Sequence, residues 1–164
     1  MTLPLLLKLI HVLAAFWFIA GLLGRWVCLT RAARATDVHI AKALNEAAGP
    51  FEKLMVIPGS FAVPLAGVLT AWAQGWPLLG FLQGAQANWL LVSWVLFLTN
   101  IPLINLVFLP RGRVFEKAMQ DAVAQGRVTP ELTAAFHDPV VTAAHTYELA
   151  VVAIIVILMV TKPF

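Results

Sequence analysis

Four apolar stretches, each long enough to cross a bilayer, constrain this chain more than any other feature of its sequence. They run from about Leu3 to Leu29, Leu54 to Trp72, Trp89 to Leu109 and Pro139 to Thr161. A helix needs roughly 20 mostly apolar residues to cross ~30 Å of hydrocarbon. Only helices and closed barrels satisfy their backbone groups there. Composition agrees, with 61% of residues hydrophobic and 12% charged, against about 45–50% apolar and about 25% charged in soluble domains. The expected fold is all-α: a single transmembrane domain built as an integral membrane four-helix bundle, with the lipid bilayer as its solvent.

The connections between the stretches differ in charge. Thr30 to Lys53 carries Arg31, Arg34, Lys42 and Lys53; Pro110 to Asp138 carries Arg111, Arg113, Lys117 and Arg127; Ala73 to Asn88 carries none. Cytoplasmic loops collect Lys and Arg. The expected topology is therefore multi-pass in the cell inner membrane, with both termini on the outer (periplasmic) side. The net charge of +3 is a topology signal and does not indicate nucleic acid. The N-terminal stretch reads as a span and not as a leader, because Lys8 and His11 interrupt it and Arg25, Arg31 and Arg34 follow it. Cys28 is the one cysteine, so neither a disulfide nor a cysteine metal site can be built within the chain.

Local signals fill in the connections. Asp37 can cap a helix through Ala47, ended by Gly49-Pro50. Val114 to Gln125 has helical spacing and stops at Gly126, and Thr129-Pro130-Glu131 reads as a further helix start. Asp138-Pro139 suits the cap and first position of the last span. The uncharged connection holds Trp72, Trp76, Phe81 and Trp89; such rings anchor at the headgroup boundary or form a docking surface. Pro58, Gly59, Pro64 and Gly67 in the second span, and Asn100, Pro102 and Asn105 in the third, predict kinks. No phosphate loop, H-E-x-x-H or G-x-S-x-G motif occurs, so the catalytic residues are unknown and enzymatic activity is uncertain.

Ionisable residues at membrane depth are costly and face the bundle interior. On the first span, Lys8, His11, Ala15, Phe18, Leu22 and Arg25 share a helix face; on the last, so do Asp138, His145, Glu148, Val152, Ile155, Met159 and Lys162. With the two spans antiparallel and Lys8 level with Lys162, His11 falls level with Met159 and Arg25 with His145. Two clusters are expected. The inner one holds Arg25, His145, Glu148 and Asn105, as a structural ion pair, a proton relay or a second ligand site in which His145 joins His11 as a metal-binding candidate. The outer one holds Lys8, His11 and Met159, with His11 either hydrogen-bonded to a neighbour or ligating haem, Met159 as second axial ligand, and Lys8 and Arg25 meeting propionates.

At these residues the chain is identified as a member of an uncharacterised family of predicted bacterial four-span membrane proteins. LLLKLIHVLAAFWFIAGLLGRW, KLMVIPGSFAVPLAGVL and VILMVTKPF carry that resemblance. More remotely it resembles the HemJ-type protoporphyrinogen IX oxidases in Lys8-x-x-His11, Pro58-Gly59 and Glu148. That resemblance implies haem b held through His11. It departs at Trp89-Leu90-Leu91-Val92-Ser93, where those proteins carry a lysine and this chain has none. The expected function is haem binding with a redox or tetrapyrrole-linked role. A non-catalytic scaffold or accessory subunit, joined to a membrane protein partner or as a homo-oligomer, comes second, and small-solute transport third.

Overall fold

A computed structural model describes residues 2–164. The helices are α1 (Leu3–Ala33), α2 (Val38–Phe51), α3 (Ile57–Ala73), α4 (Trp89–Leu98), α5 (Asn100–Leu103), α6 (Leu109–Ala124), α7 (Pro130–Phe136) and α8 (Pro139–Thr161). No strand occurs among the described residues. Four helical runs are long and apolar enough to cross a membrane, as a four-helix membrane bundle requires.

The last span follows its end signals. Asp138 accepts hydrogen bonds from the amides of Val140 and Val141, and Pro139 opens the helix. Thr129 caps α7 through the Leu132 amide, and Gly126 takes the positive φ of 67° that stops α6. Asp37 caps α2, accepting from the amides of His39 and Ile40 at 2.7 and 3.1 Å. The Ile40 amide, then that of His39, holds the Asp37 carboxyl below its ordinary value.

Gly49-Pro50 does not end α2. The helix passes through a π turn, Glu52–Val56, and continues as α3. The third span behaves alike, passing through a π turn at Ile104–Phe108 into α6. Each π turn starts two residues after one proline (Pro50, Pro102) and stops two residues before another (Pro58, Pro110). Proline removes an amide and crowds the carbonyl four residues back. One extra residue in the turn passes the orphaned bonding one step along, so the run bends without breaking. Pro58 also takes away the amide that would reach the Leu54 carbonyl, and the Trp17 indole N–H donates there at 3.1 Å.

The runs Val38–Ala73 and Trp89–Ala124 therefore hold 36 residues each, roughly 54 Å of helix. Their charged ends project past the bilayer core and pack with α7 into a cap, whose interior is Val38, Ala118, Met119, Ala122 and Leu132. Inside the membrane α1 lies antiparallel against α3. A Cβ on Gly59 would stand 2.9 Å from the Phe18 Cβ, so only glycine allows this approach. Phe18, Leu22 and Val56 form the core there, joined by Leu149 and Val152 of α8.

At the uncharged end, Ala71, Trp89 and Leu90 gather Trp76 and Met159. The Lys162 ammonium sits 4.3 Å from the Trp76 ring centre and 5.3 Å from that of Trp89. The Phe164 carbonyl accepts from the amides of Asn88 and Trp89, which starts α4. Trp72 and Phe81 stay exposed.

Candidate functional site

Two polar sites punctuate the apolar bundle. The inner one centres on Arg25 of α1. Its guanidinium donates to Glu52, in the π turn before α3, at 2.5 Å, and to Glu148 of α8. His145 completes the group, its Nδ1 lying 3.4 Å from Arg25 and 3.6 Å from Glu148. Phe108 stacks on the His145 ring at 4.6 Å and stands 6.0 Å from the Arg25 guanidinium. The Arg25 and Glu148 side chains are 11% and 13% exposed, which leaves little water to screen them. Counted from Leu3, Arg25 lies roughly 33 Å along α1, near the end of the bilayer core. The group ties α1, α3 and α8 together by charge-assisted bonds, with two carboxylates facing one guanidinium.

Arg25, His145 and Glu148 are thus brought together. Asn105 is not: its side chain is exposed and donates only to the Ile101 carbonyl. Glu52 is a member that the stripe pattern missed, because it precedes the second span. Its signal was the charge itself, a carboxylate at the membrane edge close to Pro50 and Pro58.

The outer site is His11. Its Nδ1 lies 3.0 Å from the Val63 carbonyl. A carbonyl can only accept, so Nδ1 carries the proton and Nε2 keeps the lone pair. The ring lies over Gly67, where a Cβ would come within 3.1 Å of Cε1. Lys8, one turn away, is exposed. Met159 sits in the Ala71–Trp89–Leu90 cluster, and Ala71 is one turn beyond Gly67 on α3.

Haem ligation through His11 would draw on these positions. The Val63 bond leaves the lone pair on Nε2, the tautomer that a ligating imidazole has, and Lys8 is the cation one turn away. Arg25 does not fit the role of a propionate partner. It is fourteen residues from His11, roughly 21 Å along the helix, and Glu52 and Glu148 engage it. His145 lies the same fourteen residues from Met159. Because Arg25 meets His145, antiparallel counting brings His11 level with Met159 and leaves His145 at the other end. Among the described residues no three His, Cys, Asp or Glu side chains gather into a group that could hold a metal ion.

Residues 5–163 match a family described as "Predicted integral membrane protein (DUF2269)". The match covers nearly the whole chain, and the chain belongs to that family. No curated protein and no solved structure matches it.

Proposed function

We propose that this membrane protein holds a b-type haem through Nε2 of His11 and serves a redox or tetrapyrrole-linked role in the cell inner membrane. The observation that carries the reading is the Nδ1 hydrogen bond from His11 to the Val63 carbonyl. It orients the ring from outside the coordination sphere and raises the basicity of the remaining nitrogen, as partners of metal-bound imidazoles do. Gly67, having no side chain, lets the ring pack close on α3, and Lys8 supplies a cation one turn away. Met159, level with His11 on α8, is the candidate second ligand. Haem, when bound, supplies a one-electron couple.

The test is an absorption spectrum of the purified full-length protein, with haem supplied, before and after dithionite. A Soret band that sharpens on reduction and is lost in His11→Ala is expected. Gly67→Leu, which crowds the ring, should lower haem occupancy with the bundle intact. An empty wild-type spectrum overturns the reading. It would leave the accessory-subunit alternative, which draws on Phe81 and Leu82 standing exposed on the uncharged connection.

A further inference from the structure

A cleft of about 810 Å³ opens at the charged end of the bundle, the end opposite His11. It runs along α1 from Trp26 to Ala33, reaches the cap residue Arg34, and follows α8 as far as Thr146. Eight residues of α1 make it roughly 12 Å deep. Its lining changes with depth. Trp26, Leu29 and Phe108 line the part within the spans, whereas Arg34 and Arg111 line the part at the charged connections.

The two arginines differ. Arg111 bonds Asp138, the cap of α8, through one terminal nitrogen. Arg34 makes no ion pair among the described residues. Farther in, His145 lines the cleft, and the cation behind it, Arg25, is already held by two carboxylates. Asp138 lines the cleft as well, so the unpaired positive charge of the lining is that of Arg34, at the mouth.

We infer that the cleft binds one anionic phospholipid of the surrounding leaflet. Its phosphate lies against Arg34, beside the Arg111–Asp138 pair, and its first methylenes lie against Trp26, Leu29 and Phe108. The rest of its chains continue into the bilayer. A free guanidinium such as that of Arg34 recognises phosphate in a forked geometry. Charge above and hydrocarbon below, at the level of the membrane boundary, is the polarity profile of a lipid. A soluble anion would gain nothing from the apolar walls, and a zwitterionic lipid would gain less from the arginines.

The test uses the full chain purified in a mild detergent, with retained lipid counted by native mass spectrometry after equal supply of phosphatidylglycerol and phosphatidylcholine. Phosphatidylglycerol should be preferred about tenfold, because both lipids carry the phosphate but the choline of phosphatidylcholine adds a cation that Arg34 repels. Arg34→Gln should erase the preference with helicity unchanged, since Arg34 holds nothing else in place. Ala33→Trp, which fills the cleft without altering charge, should lower retention of both lipids. Equal retention of the two lipids by the wild type overturns the inference, as does an unchanged preference in Arg34→Gln. Competition by glycerol phosphate as strong as that by phosphatidylglycerol overturns it too, by assigning the cleft to a soluble anion. If Ala33→Trp fails to fold, Arg34→Gln still decides.

Discussion

Arg25 neutralises carboxylates from two other helical runs while itself nearly out of water. Removing one member of a buried ionic group costs more than the group is worth, because the partners stay behind uncompensated. Arg25→Met should therefore destabilise the protein by about 3–5 kcal/mol, read as a lower midpoint in detergent unfolding. Adding Glu52→Gln and Glu148→Gln to it should restore most of the loss. The pairing of Arg25 with His145 and Glu148 was legible because α1 and α8 are regular helices, so a step of three or four residues stays on one face. Glu52 was legible only as a carboxylate at the membrane edge, and the side on which Asn105 lies was not legible. Both lie inside π turns, and one extra residue rotates the face by about 100°. Asn105 was expected inside and is exposed for that reason. The partners of His11 escaped a different way: a backbone carbonyl and a glycine carry no polarity signal at all.

The elements were legible where they begin at caps and obscure where they were expected to end at prolines. Asp138-Pro139 starts α8 as its chemistry requires, and Thr129 does the same for α7. Gly49-Pro50 reads as a stop, yet the helix continues, because a π turn absorbs what proline removes. The signal is the spacing: Pro50 and Pro58 in one run, Pro102 and Pro110 in the other, eight residues apart in each case, enclose the turns. Close packing of α1 on α3 gives a sharper test. Gly59→Ala places its methyl against Phe18 and should cost about 1–3 kcal/mol by overpacking. Gly49→Ala meets nothing within 4 Å and should be neutral or stabilising by up to about 1 kcal/mol. Thermal unfolding of the two variants in the same detergent separates them, and equal effects would refute the close approach.

For the molecule as a whole, the four apolar runs and the charge asymmetry of their connections stood plainly in the sequence, since both follow from bulk transfer energies and not from fine geometry. Orientation is the next quantity to measure. In a Cys28→Ser background, Phe81→Cys should react with a membrane-impermeant maleimide in intact cells, whereas Gln120→Cys should react only after permeabilisation. The reverse pattern would invert the assignment. The two 36-residue runs also have a mechanical consequence. Both continue past the membrane boundary, so the cap and the bundle are joined through two helical runs, and each carries its π turn between them. Glu52 sits in one such turn, and Phe108, which holds His145, ends the other. A displacement of the cap relative to the bundle would therefore have to pass through the two segments that hold Glu52 and Phe108 against the Arg25 group.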